Sequence, residues 1–136
     1  MADYRKAISR VLLTEGGYVN DPDDAGGETY KGIARNFWSK WTGWLFVDQA
    51  KKGIGFPKSL YTNRNLQAHV DEFYKVNFWD KVGGDFIASQ TIANNMVDSA
   101  VNEGIKAAVK RAQGIVLLAQ TGVITPELVT KLNSLV

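Results

Sequence analysis

Between Thr14 and Ile33 the chain reads TEGGYVNDPDDAGGETYKGI, and this stretch holds the residues whose types and spacing could do chemistry. Glu15 follows Ile8, Val11 and Leu12 at helical intervals, on the face those apolar residues share. A carboxyl on an apolar face is partly desolvated, which disfavours its charged form and raises its pKa. That is the state a general acid needs near neutral pH. Gly16-Gly17 then reverses the chain and brings Asp21, Asp23 and Asp24 back past the helix end. One carboxyl in apolar surroundings and another in polar ones meet the physical requirement for glycoside hydrolysis. A helix-terminal glutamate that reaches water, and Asn-Asp-Pro-Asp-Asp as turn chemistry, are the competing readings, and the residues alone leave both open.

Other chemistries fit less well. A calcium loop counted from Asp21 puts Asp23 third and Gly26 sixth, as required. It then offers Ala25 at the fifth position and Gly32 at the twelfth, where a bidentate glutamate is needed. Gly26-Gly27 through Gly32 lacks the spacing of a phosphate loop and has no strand before it. His69 is the only histidine and has no serine or cysteine nucleophile motif beside it. Cysteine is absent, which excludes disulfides, thiolate zinc sites and a thiol nucleophile. Neither a metal nor a cofactor is expected.

The elements that must position these residues read as helical. Tyr4, Ile8, Val11, Leu12 and Glu15 line one helix face, ended by Gly16-Gly17. Residues 16–36 carry glycines, Pro22 and acidic residues without period, which predicts a loop with a short hairpin. Residues 37–61, with Trp38, Trp41 and Trp44, predict short helices. From Asn63 onward Leu66, Val70, Phe73 and Asn77 trace one helix, broken at Gly83-Gly84. Ile92, Met96, Val97, Ala100 and Val101 trace a second, ending at Gly104. Ile105, Ala108, Val109, Ala112, Val116 and Leu117 trace a third, ending at Gly122. Thr125-Pro126 is an N-cap and first-turn proline that opens a last helix to about Leu135. The expected fold is therefore mostly α: one compact domain over residues 1–136, with a catalytic helix and loop in 1–62 and a helical subdomain in 63–136.

The string around Glu15 resembles the signature of glycoside hydrolase family 108, whose members are N-acetylmuramidases and phage-type endolysins. The match falls on Glu15, Gly16, Gly17, Tyr18, Asn20, Asp21, Pro22, Asp24, Gly26, Gly27, Thr29, Gly32 and Ile33. The resemblance implies a lysozyme-like helical fold and makes Glu15 the acid that protonates the glycosidic oxygen. The layout is also similar to other phage-type lysozymes, in which an aspartate nine residues after the helix-end glutamate and a nearby threonine position the attacking water. That similarity assigns Asp24 and Thr29, with Asp21 competing for the second-carboxylate role. Tyr18 and Tyr30 flank the loop and are expected glycan contacts, as are Trp79, by stacking on a sugar face, and Asn102, if it reaches the cleft. Phe73-Tyr74-Lys75 through Trp79-Asp80 and Ile92 through Gly104 resemble later family segments. Ala112-Gln113 through Ile124 resembles the start of a peptidoglycan-binding region, although Thr121-Gly122 and Thr125-Pro126 depart from the family's usual residues there.

The resemblance implies the glycan strand of peptidoglycan as partner. It leaves open a hydrolase, a lytic transglycosylase using the same Glu15, and a non-catalytic wall-binding or secretion-regulating protein. At 136 residues with 45% hydrophobic content, the chain is long enough to bury a core. Sixteen basic against 14 acidic side chains, with no basic run longer than a pair, argue against nucleic acid. The longest aliphatic run, Ile115 to Ala119, falls far short of the ~20 residues that span a bilayer, so no stable membrane association is expected. Val11 to Leu13 is shorter than the about 7–15 apolar residues of an export signal. A monomer made in the bacterial cytoplasm and released to the wall through a separate holin-type pore, of phage or prophage origin, is the expectation.

Overall fold

The computed structural model describes residues 1–135, and the chain is mostly helical with one small sheet. Helix α1 (Tyr4–Glu15) buries Ala7, Ile8 and Val11 and leaves Leu12 and Glu15 half-buried, so the apolar stripe expected from the sequence is the one that packs. Gly16 follows at φ +75°, the left-handed conformation that stops a helix and that residues with a Cβ adopt reluctantly. Three short antiparallel strands come next: β1 (Tyr18–Asn20), β2 (Glu28–Tyr30) and β3 (Ile33–Ala34). The expected loop with a hairpin is thus a three-stranded sheet. Strands of two or three residues are too short for alternation to show in the sequence.

Helix α2 (Gly43–Lys51), a 3₁₀ segment (Lys58–Thr62) and α3 (Arg64–Tyr74) complete this part of the chain. Its core comprises Tyr30, Ile33, Trp44, Val47, Leu60, Leu66, Val70 and Phe73. Trp41 sets the close approach at Gly43, where a Cβ would lie 2.2 Å from its ring. The same indole donates to the carbonyl of His69 at 3.3 Å, and that of Trp44 donates to the carbonyl of Trp38 at 3.1 Å. These tryptophans hold the connection between β3 and α2.

After α3 the chain widens into a π-helical turn, Lys75–Trp79, which drives Trp79 fully into the interior. Its indole donates to Asp85 Oδ1 at 2.8 Å, and Gly84 lies so close to the ring that a Cβ there would fall 2.3 Å from it. Helices α4 (Gln90–Glu103) and α5 (Ile105–Ile115) pack mainly on each other through Ala93, Met96, Val97 and Ala100 against Ala108, Val109 and Ala112. The Ser89 hydroxyl caps α4 by accepting from the Ile92 amide, and Gly104 at φ +97° separates the two helices. Helix α6 (Pro126–Asn133) starts as expected, with the Thr125 hydroxyl accepting from the Leu128 amide at 3.2 Å and Pro126 in the first turn.

Packing divides the chain into two units, Leu12–Phe73 and Met1–Val11 with the residues from Tyr74 onward. The expected division after residue 62 falls inside the first of these. Helix α3 belongs with the sheet because Gln67 donates to the Tyr30 hydroxyl at 2.8 Å and to the Leu60 carbonyl at 2.9 Å.

Gln113 is the buried polar side chain of α5, 2% exposed. Its amide nitrogen donates to Thr121 Oγ1 and the Val123 carbonyl, and its oxygen accepts from the Gly122 amide at 3.0 Å. These bonds close the α5–α6 connection. Gln113→Leu keeps the volume but strands the Gly122 amide, so it should lower unfolding free energy by about 1–3 kcal/mol in urea titrations followed by circular dichroism.

Candidate active site

Glu15 lies half-buried in the last turn of α1, next to the left-handed Gly16. Gly17 then passes directly under Tyr61: a Cβ at Gly17 would sit 1.7 Å from the Tyr61 hydroxyl, which accepts from the Tyr18 amide at 3.4 Å. Glycine at 16 answers to φ, and glycine at 17 to space. The Gly17 carbonyl accepts from the Lys31 amide at 3.2 Å, so the chain leaving Glu15 is hydrogen-bonded to the tip of the β2–β3 hairpin. That tip is a two-residue turn, Lys31 at φ +47° and Gly32 at φ +81°, the left-handed pair that matches the twist of the flanking strands. The Lys31 ammonium donates to Gln67 Oε1 and lies 5.7 Å from the centroid of the Tyr30 ring. Burial holds its pKa below the ordinary lysine value, partly offset by the charge of Asp71.

Register assigns the two faces of the sheet. Tyr18 pairs with Tyr30, Val19 with Thr29 and Asn20 with Glu28, while Thr29 pairs with Ala34 and Tyr30 with Ile33. Tyr18, Glu28, Tyr30 and Ile33 therefore share one face, and Val19, Thr29 and Ala34 the other. The first face is covered: Tyr30 and Ile33 have no exposure. The second is open, with Val19 56% exposed beside the half-buried Thr29.

The acidic loop is folded by its own side chains. Asp21 Oδ1 accepts from the Asp23 amide at 2.9 Å, and Asp24 Oδ1 accepts from the Gly26 amide at 2.9 Å. The Asp24 carbonyl accepts from the Gly27 amide, and the Thr29 hydroxyl donates to the Gly27 carbonyl at 3.2 Å. Asp24 and Thr29 thus belong to one hydrogen-bonded turn. Asp24 is an exposed carboxylate, and Thr29 stands across from Val19, four residues after Glu15 in the chain.

Two expected contacts are corrected by burial. Tyr30 and Trp79 are both 0% exposed, so neither ring face is available to a sugar. The Tyr30 hydroxyl instead anchors α3 through Gln67, and Trp79 is a core residue whose indole bonds to Asp85. Asn102 is exposed on α4, where it lines a cavity of about 440 Å³ with Asp98, Ser99, Glu103, Arg111 and the apolar side of α5, in the other unit. Tyr18 remains half-buried, packed edge-on against Phe56 at 4.8 Å, with its hydroxyl donating to Glu28. Burial and that carboxylate push the phenol up to about 12. Tyr18 therefore stays a proton donor throughout the physiological range.

Glu28 is the participant that sequence reasoning missed. Its side chain is 9% exposed and is ringed by donors: Tyr18 Oη, Arg35 Nη1 at 2.9 Å and Lys51 Nζ. Arg35 also grips Asp48 bidentately at 2.6 and 2.7 Å, and its guanidinium lies 5.1 Å from the Trp44 ring centroid. Burial alone would raise the Glu28 carboxyl. The hydrogen bonds from Lys51, Tyr18 and Arg35 outweigh it and hold the carboxyl below its ordinary value. One of its partners, Lys51, lies beyond the loop at the end of α2, so only the register of β2 could have pointed to it.

A mostly α, lysozyme-like fold with one small antiparallel sheet, together with the family match, places the chain among the helical glycoside hydrolases. The chain belongs to glycosyl hydrolase family 108, whose pattern it matches over residues 8–104. Among solved structures it is similar to SagA of Brucella abortus, at 28% identity and a TM-score of 0.66, over 96% of this chain and 68% of that one. No curated protein matches it in sequence. Helices α5 and α6 lie beyond the matched residues. No group of side chains suited to a metal ion occurs among the described residues, and no helix among them is long and apolar enough to cross a membrane.

The depressed Glu28 carboxyl sets a sign for acid stability. Its contribution is fully present above the ordinary glutamate pKa and is lost as pH falls through the lower folded-state value. Glu28→Gln should therefore cost about 2 kcal/mol at neutral pH and show a shallower loss of stability in acid than the parent chain. Thermal melts between neutral and strongly acid pH measure both.

Proposed function

We propose that the chain is an N-acetylmuramidase, a lysozyme-like hydrolase of the β-1,4 bond between N-acetylmuramic acid and N-acetylglucosamine in peptidoglycan. The supporting observation is the half-buried Glu15 closing α1 immediately before the reversal that starts the sheet, with Asp24 and Thr29 joined in one turn on that sheet. In this reading Glu15 delivers its proton to the glycosidic oxygen as the bond to the anomeric carbon breaks, and the leaving sugar departs as a neutral alcohol. Asp24 stabilises the oxocarbenium-like centre. With Thr29 it orients the water that adds there, and the proton released returns through solvent to Glu15.

Asp24 is preferred to Asp21 as the second carboxylate. It is the one whose turn continues, through Gly27, to the Thr29 hydroxyl. Tyr18 acts through Glu28, keeping β1 and β2 in register beside the acid. The partner is the glycan strand, approached at the open face that carries Thr29.

Glu15→Gln, nearly isosteric, should reduce lysis of purified wall by at least about 100-fold while leaving the melting curve unchanged. Retained lysis by the folded variant would overturn the assignment. Mass spectrometry of the digest tests the reaction itself. Reducing muramic acid ends are expected, whereas anhydro ends, lighter by one water, would assign a lytic transglycosylase. Wall capture without loss of turbidity would assign a non-catalytic binding protein.

A further inference from the structure

We infer that Phe37 is a substrate-contact residue of this site, presenting its ring to the apolar face of a pyranose held beside Asp24. The inference deepens the muramidase reading and rests on it. Phe37 is a large aromatic residue left 69% exposed, although the chain on both sides of it is fixed. The Asn36 amide donates to the Gly26 carbonyl at 3.0 Å, and its side chain donates to the Ala25 carbonyl at 3.1 Å. The Phe37 and Trp38 amides both donate to the Ala34 carbonyl. Trp38 packs edge-on against Phe73 at 4.8 Å, and its carbonyl accepts from the Trp44 indole. A ring held in water by so well anchored a backbone has its ordering cost already met, which favours binding.

Its neighbours define what it can bind. A Cβ at Gly26 would lie 3.4 Å from a Phe37 ring carbon, 3.4 Å from Asp24 Oδ1 and 2.9 Å from the Ala34 Cβ. The aromatic ring and the carboxylate therefore flank one glycine and stand within twice that distance of each other. Ala34, which pairs with Thr29 on the open face, borders the same glycine as Phe37, so the ring lies at the edge of the row Val19, Thr29, Ala34. An apolar face bordered by a carboxylate and a hydroxyl suits a sugar ring, which has apolar C–H faces and a polar rim. Glycine at 26 lets the two pack over one buried position, since a Cβ there would clash with that of Ala34.

The test uses soluble glycan strands freed of stem peptides, cut by the full chain and its variants. Phe37→Ala should raise KM about tenfold with kcat changed less than about twofold, because an apolar contact made alike in the bound substrate and the transition state is lost. Phe37→Tyr, which restores the ring, should return KM to the parent value. Leu45→Ala, which removes another exposed apolar side chain, should leave KM unchanged. A parent-like KM for Phe37→Ala in an active, folded protein would overturn the inference and leave the muramidase reading standing. If the parent does not cleave the strands, that reading fails, and calorimetry with Glu15→Gln then decides Phe37 separately. Loss of strand binding in the Glu15→Gln, Phe37→Ala double variant supports the contact. Equal binding by both proteins, or none by either, overturns it.

Discussion

The close pass of Gly17 beneath Tyr61 is the constraint from which the candidate site follows. It lets the chain turn at the end of α1 in two residues, so that the glutamate and the first strand share a boundary. Any side chain at position 17 would collide with the Tyr61 hydroxyl, and the left-handed Gly16 cannot be moved without unwinding the helix end. The Gly17 carbonyl is then engaged by the Lys31 amide, which transmits the position of the hairpin tip back to the reversal. Glu15 is thus placed by backbone geometry on one side and by sheet hydrogen bonding on the other.

A second device holds the sheet from beneath. Glu28, Arg35, Asp48, Lys51 and Tyr18 form a charged cluster joining β2 to α2, and every member has an opposite charge or a hydroxyl as partner. Burial of the Glu28 carboxylate costs desolvation, and the hydrogen bonds from its three partners outweigh it while fixing the geometry of β2 against α2. Its two faces divide the labour: charge and packed aromatics underneath, and Thr29 with the acidic turn on the open side.

The helical part of this arrangement was legible in the sequence because buried positions recur with the helix period. Ile8 and Val11, Leu66 and Val70, and Met96 and Val97 are all core residues, and Thr125-Pro126 opens α6 as its chemistry implies. The glycines around Glu15 announced the reversal. The sheet was less legible, since its strands are shorter than one full alternation pattern. Residue type alone could not separate Tyr30 and Trp79, which are buried, from Phe37, which is exposed, because all three are large and aromatic. Nor could it find Glu28, whose burial depends on Arg35 past the end of β3 and on Lys51 at the far end of α2. For Tyr30 and Glu28 the deciding quantity is which face of a short strand points inward, and for Trp79 and Phe37 how a turn is packed, both of which are settled by tertiary contacts.

The acidic turn also bears on how the domain reaches its folded state. Asp21 and Asp24 bond to amides two residues away, and all three strands pair within the span from Tyr18 to Ala34. Contacts of such low sequence separation close with little loss of loop entropy, on the timescale of hairpin formation rather than of whole-chain collapse. The segment carrying the two carboxylates and the threonine is therefore a locally encoded module. Its tip, exposed from Asp21 to Ala25, is tied chiefly to itself, so the module's shape is set by its own aspartates and does not draw on the helical scaffold.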